Sequence, residues 1–232
     1  MKNSIILVCA LVLLMSSSFK SDNTCDSFFP KNVGSSWEMT SYDAKDKVVS
    51  KSISKLTAIK DVADGLEATI NIEIFDEKNK SLNKGDVTMK CTQESFYMDM
   101  STMFQSDQFE AMEGVSIEVT NQYMEFPSNP VAGQTLPDAE STMTITMGGM
   151  PLMTTKIKTT NRKIEGTESV TTPAGTFNCI KYTFDTEVIS TMFKSKSKST
   201  MYMAKNVGNV KMESYDDKGK LQSKQLLTAF NK

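Results

Sequence analysis

Apolar and polar residues alternate strictly in several stretches of this chain. Ala68, Ile70, Ile72 and Ile74 interleave with Glu67, Thr69, Asn71 and Glu73, a period of two that places one face against a core and the other in water. Antiparallel strands wetted on one side read this way. The same alternation returns in Val87–Cys91, in Val115, Ile117 and Val119, in Met143, Ile145 and Met147, and in Ile180, Tyr182 and Phe184. Turn residues separate these runs at Asp61 to Gly65, Glu77 to Lys80, Asn129 to Gly133, Pro173 to Gly175 and Asp216 to Gly219, as in a meandering all-β protein. About ten strands satisfy the criterion. One stretch predicts a helix, Ser101 to Met112, where Met103, Phe104, Phe109 and Met112 share a face.

Three turns are alike in sequence: Tyr42-Asp43-Ala44-Lys45-Asp46-Lys47, Phe75-Asp76-Glu77-Lys78-Asn79-Lys80 and Tyr215-Asp216-Asp217-Lys218-Gly219-Lys220. Each has an aromatic strand end, an Asp that can fold back on its own backbone, and a lysine-bearing tip, so shared hairpin chemistry explains them without an internal repeat. Pro173-Ala174-Gly175 predicts a tight turn. The segment from Pro127 to Pro137 holds three prolines and Gly133 and reads as a stiff crossover.

The N-terminus departs from this pattern. Lys2, an apolar run from Ile5 to Met15 and the small residues Ser16 to Ser18 have the order of a secretory signal peptide. The run is shorter than the ~20 apolar residues of a membrane-spanning helix. The expected organisation is therefore a signal peptide over 1–18 and a single β-rich domain over 19–232, exported to the periplasm or the extracellular space of a bacterium, with no transmembrane span in the mature chain. Cys9 follows Val8 inside the apolar run, and Cys25 follows Asp22, Asn23 and Thr24; neither fits a lipobox, so a soluble exported protein is expected.

Composition narrows the chemistry. The 232 residues contain no histidine, which leaves no material for Ser-His-Asp or Cys-His nucleophiles, imidazole metal sites or a histidine pH switch. A formal charge of −2, or −3 once Lys2 is removed, gives no electrostatic basis for binding nucleic acid. The acidic pairs Asp76 with Glu77 and Asp216 with Asp217 lie in hairpin tips, where solvent denies them the burial that an acid-base pair needs. Ser-x-x-Lys spacings such as Ser52 to Lys55 and Ser81 to Lys84 occur in strand or turn contexts, without a buried lysine. These readings together predict a protein that is not an enzyme and needs no cofactor.

Cys25, Cys91 and Cys179 remain after the signal, an odd number in an oxidising compartment. Cys91 continues the apolar face of Val87 and Met89, whereas Cys179 falls on the polar face opposite Ile180, Tyr182 and Phe184. This patterning favours a disulfide of Cys25 with Cys91, worth ~3 to 4 kcal/mol on the chain-entropy account; three reduced thiols are the alternative. Methionine is abundant, with 17 in the chain. Met98, Met100 and Met103 form one cluster and Met143, Met147, Met150 and Met153 another. They suit plain core, an apolar pocket lining or weak Cu(I) ligation. The run from Lys194 to Ser199 alternates lysine and serine and suits a charge-guarded edge strand, with an anionic surface as the other reading. Arg162 is the sole arginine, leaving little for bidentate anion recognition.

Phe29-Pro30 with Gly34 and Trp37, then Asn161-Arg162-Lys163-Ile164-Glu165-Gly166, Thr172-Pro173-Ala174-Gly175-Thr176-Phe177-Asn178-Cys179 and Ala204-Lys205-Asn206-Val207-Gly208-Asn209-Val210-Lys211 form an ordered pattern over nearly the whole mature chain. It resembles the TapB-like family of exported bacterial proteins, and the segment around Pro173 is the most specific part. The resemblance implies a near-terminal cysteine and another in a mid-chain strand, in keeping with Cys25 and Cys91. It also implies a curved antiparallel sheet, similar to the open half-barrels of periplasmic lipoprotein carriers. Methionines stand where such sequences usually place other apolar residues. The expected function is a binder of lipid or another apolar ligand on the concave face of the sheet. The alternative is an interaction module that engages another envelope protein.

Overall fold

The computed structural model describes residues 28–99, 114–120 and 123–232. The signal segment, Cys25 and the expected helix at 101–112 lie outside them. The described residues form thirteen antiparallel strands: β1 (Ser36–Asp43), β2 (Val48–Val62), β3 (Gly65–Asp76), β4 (Ser81–Thr92), β5 (Ser95–Asp99), β6 (Val115–Thr120), β7 (Tyr123–Pro127), β8 (Ala139–Met147), β9 (Met150–Thr172), β10 (Gly175–Ser190), β11 (Lys194–Ala204), β12 (Gly208–Tyr215) and β13 (Leu221–Asn231). They make one curved, unclosed sheet in the order β6-β8-β9-β10-β11-β12-β13-β1-β2-β3-β4-β5-β7. Two meanders, β1 to β5 and β8 to β13, meet where β13 pairs with β1. The count exceeds the expected ten because periodicity finds strands with one apolar face, and β11 and β13 mix serine and lysine into both faces.

Chain connectivity sets the curvature. β6 and β7 are joined through only residues 121 and 122, yet they occupy opposite ends of the strand order. Three peptide links span at most about 11 Å between Thr120 and Tyr123, so the sheet curls until its two ends nearly meet. No ladder joins β6 to β7. The seam is crossed by the chain itself.

The three similar turns are built alike. Asp43 Oδ1 accepts from the amides of Lys45 and Lys47 (2.8 and 2.9 Å), Asp76 Oδ1 from those of Lys78 and Lys80 (2.8 and 2.9 Å), and Asp216 Oδ1 from those of Lys218 and Lys220 (3.0 and 2.8 Å). The positive-φ position falls on Asp46, Asn79 and Gly219 respectively, residue types that tolerate it. Asp43 titrates below the ordinary carboxyl range because the amides of Lys47 and Lys45 hold its charged form.

Inside the curl, Phe28, Phe29, Phe96, Phe126, Tyr182 and Phe184 form a continuous chain of rings. Phe28 and Phe29 each contact Phe96, which contacts Phe126 at 5.9 Å; Phe126 meets Tyr182 edge-on at 5.2 Å, and Tyr182 stacks on Phe184 at 4.9 Å. Leu56, Ala68, Ile70, Cys91, Ile164 and Met203 complete this cluster. Phe28 approaches the β11–β12 turn, its carbonyl lying 3.1 Å from where a Cβ on Gly208 would stand. The N-terminal phenylalanines thus fill the end of the curl opposite the β8–β9 and β10–β11 turns.

A second cluster corrects the reading of Cys179. It was expected on a polar face, yet it is fully buried with Met39, Val170, Tyr202, Ala204, Val207, Val210 and Leu227. The distal part of the β9–β10 hairpin runs past the end of β11 and packs against the neighbouring strands: β9 touches β12 and β13, and the Ala174 amide donates to the Leu227 carbonyl at 3.4 Å. Two-sided burial of this kind is invisible to a period-two argument, which assumes a wet outer face. Cys179 is the free cysteine among the described residues. Burial, with Glu168 adding to it, pushes its thiol up to about 11, so it stays protonated and inert at neutral pH. Iodoacetamide labelling of the native protein should spare Cys179 and reach it after unfolding; rapid native labelling would contradict this packing.

Candidate functional site

The seam holds a cleft of about 660 Å³. One wall is Glu94, Ser95, Tyr123, Glu125 and Pro127 from the β5–β7 end, the other Gln134 and the run from Leu136 to Glu140, and Arg162 lines it between them. Its second wall continues β8. Thr135 bridges Lys163, and Ala139 then pairs with Thr159 in the same register; the ladder breaks between them at Pro137, which has no amide to donate. The Leu136 amide donates to the Arg162 carbonyl (2.8 Å) and the Ile164 amide to the Gln134 carbonyl (2.9 Å). The stiff crossover expected from Pro127 to Pro137 is therefore an added half-strand along β9.

Arg162 is placed by a bulge. β9 carries one residue more than β10 between Lys163 and Thr160, and Asn161 there takes φ 51° while its side chain donates to Asp185 (2.7 Å). The extra residue shifts the in-out alternation by one and lets Arg162 enter the interior, where it is 3% exposed. Its Nε donates to the Tyr182 hydroxyl at 2.6 Å and Nη1 to the Pro137 carbonyl at 2.7 Å. Nη2 donates to the Glu125 carbonyl. The guanidinium also lies over the Phe126 and Tyr182 rings, 5.4 and 5.8 Å from their centroids. Burial raises the Tyr182 phenol, with the arginine opposing the shift.

Glu125 belongs to the terminal strand β7, which pairs only with β5. Arg162 thus ties the sheet's last strand and the Pro137 crossover to β10, where a ladder is missing. The sequence left this sole arginine little to recognise as an anion receptor; its acceptors are the chain's own Tyr182 hydroxyl and the carbonyls of Pro137 and Glu125. Its occurrence as the one arginine within an otherwise lysine-rich composition was the available signal.

Beyond the ring cluster the inner face changes character. Register partners point to the same side, so Val188 continues the inner row of Tyr182 and Phe184, and carries with it Ile157 on β9, Met143 and Ile145 on β8, and Val119 and Ile117 on β6. Met153, opposite Ile145, joins them. These side chains are half-buried and belong to neither core cluster. The expectation of an apolar concave face is narrowed: the ring cluster fills its middle, and a half-buried apolar strip continues it along β6, β8 and the adjoining ends of β9 and β10. Of the methionine clusters, Met143 and Met153 lie on this strip, Met147 and Met150 flank the turn at its end, and Met98 pairs with Met89 and Met124. Met100 and Met103 are outside the described residues.

The other sequence candidates are dispersed. Asp76 and Asp216 close their hairpins, as above. Ser52 pairs with Met39 and Ile74 mid-sheet, and Ser81 opens β4. β11 lies inside the sheet instead of at its edge, although Lys194 to Ser197 run past the end of β12 and pair only with β10. Cys91 is fully buried and is not a free thiol. No cluster of Asp, Glu, Cys or His suited to a metal occurs among the described residues, and no helix there is long and apolar enough to cross a membrane.

A family model matches residues 32–227, nearly the whole sheet from the residues before β1 to β13. The chain belongs to the DUF3108-like family. Two solved structures share the DUF3108-like chain's fold at a TM-score of 0.73 and 25% identity, each covering 90% of this chain and 100% of its own: a candidate lipoprotein from Parabacteroides distasonis and a candidate exported protein with a YmcC-like fold from Bacteroides fragilis. No curated protein matches the sequence significantly. The matching family is thus DUF3108-like, where the sequence motifs suggested a TapB-like one.

Proposed function

We propose that this is an exported, non-enzymatic protein that holds a lipid acyl chain or a similar apolar ligand against the inner face of β6, β8 and β9. The observation that carries this reading is the half-buried strip of Ile117, Val119, Met143, Ile145, Ile157 and Val188, which continues the interior without being filled by its rings. Apolar side chains on a concave face, with flexible methionines among them, adapt to a chain of carbons. The descriptions of the two similar structures, a lipoprotein and an exported protein, favour the same compartment, as does the TapB-like resemblance.

Titration with a fluorescent fatty acid tests the reading. Saturable emission enhancement is expected, and Ile145→Asn with Ile157→Asn should weaken it about tenfold or more, because two buried aliphatic contacts are lost. Equal binding by that variant, with its melting unchanged, would refute the site. The compartment also bears on the cysteines: Cys25 is proposed to bond Cys91. A peptide map without reductant should recover the two in one cross-linked fragment; Cys91 alkylated without reductant would exclude the bridge.

A further inference from the structure

The end of the sheet that carries the β8–β9 and β10–β11 turns has an unusual surface. Met150 is 71% exposed, Leu152 57%, Met192 85% and Phe193 55%. These turns are held by their own backbones. Gly148 and Gly149 both take positive φ (58° and 80°) between the paired Met147 and Met150, the conformation of a two-residue hairpin turn, and in the neighbouring turn the Ser190 amide donates to the Phe193 carbonyl at 2.8 Å. Rigid tips that project large apolar side chains into water are costly in an isolated soluble protein.

Charge is distributed in a matching way. The chain carries no charged residue from Ser141 to Thr155 or from Val188 to Phe193. The first charged residues inward are Glu118 on β6, opposite Thr144, and then Lys156 and Lys194, which stand on either side of Ile189 in one cross-strand row. The next row holds Glu140, Lys158, Glu187 and Lys196. The two rows together have four lysines and two glutamates, and the glutamates pair with those lysines. An uncharged apolar tip backed by a lysine-dominated belt is the pattern of an element lying in a lipid interface, with the tips among acyl chains and the long lysine stems reaching headgroups.

We propose that this end of the sheet docks on an anionic lipid bilayer, inserting Met150, Leu152, Met192 and Phe193 and setting the lysine belt at the headgroups. The proposal does not depend on an inner-face ligand, since it uses the turns and the outer-face lysines. It does place the β6–β8–β9 strip next to the bilayer, where an apolar ligand would be collected or released.

Co-sedimentation with vesicles of phosphatidylglycerol and phosphatidylethanolamine, compared with neutral phosphatidylcholine, provides the test for the processed protein. Binding is expected to the anionic vesicles and to fall about fivefold or more on the neutral ones. Met192→Ser with Phe193→Ser should weaken it about tenfold or more, and Leu152→Ser on the other turn should weaken it independently. Because these side chains are exposed, melting temperature and fatty-acid binding should be unchanged in both variants, which separates failure of docking from failure of the inner-face site. No binding by the wild type, or equal binding by the turn variants, would overturn the proposal. So would concentration-dependent dimers in vesicle-free sedimentation that the same substitutions abolish, because the tips would then be covered by a second copy.

Discussion

Arg162→Met is expected to destabilise the protein by about 3–5 kcal/mol, near the upper end for single substitutions. The methionine occupies most of the arginine's volume, so the loss is of hydrogen bonds more than of packing. The Tyr182 hydroxyl and the carbonyls of Pro137 and Glu125 each lose a charged donor. Arg162→Lys should recover little, because one ammonium cannot serve three acceptors spread over β7, β10 and the crossover. The seam should open first: amides of β7 are expected to gain hydrogen exchange before those of β10. Urea melting reads the stability change, and a loss below about 1 kcal/mol would show that the seam is held by other contacts.

Gly65→Ala is expected to cost about 3 kcal/mol, for a different reason. A Cβ at Gly65 would stand 1.9 Å from the Cys91 carbonyl oxygen and 2.9 Å from its carbonyl carbon. The obstruction is the backbone of β4, which pairs with β3 through Gly65↔Thr92 and Leu66↔Cys91. A flexible side chain could swing away; a ladder strand must shift and carry Cys91 with it. Thermal melting of Gly65→Ala should fall by about 6–12 °C on the scale expected for a chain of this size. An unchanged melting temperature would mean that the two strands are less closely apposed.

The sequence was informative where one side of a strand faces water. Residues Ala68 to Ile74 and Ile180 to Phe184 alternate, and both lie in strands with their apolar members inward. The hairpin tips were also legible, because Asp bonding its own backbone and Asn or Gly at positive φ are local chemistry. What escaped was long-range. Cys179 looks solvent-facing until its own hairpin packs against β12 and β13, and Gly65 looks like a turn glycine until β4 presses on it. Arg162 is separated in sequence from the carbonyls that it binds on Glu125 and Pro137, and only the curl of the sheet brings them together. The candidate site follows the same division: alternation revealed the apolar rows of β6, β8 and β10, but not that rings fill the middle of the face and leave the β6–β8–β9 wing half-buried.

The central claim is that this wing holds an apolar ligand. Native mass spectrometry of the protein purified from its host's envelope, repeated after organic extraction, tests it most directly. The account predicts a lipid-sized mass adduct that extraction removes and that the Ile145→Asn with Ile157→Asn variant fails to retain. A bare protein mass that stays unchanged after incubation with envelope lipids would contradict it.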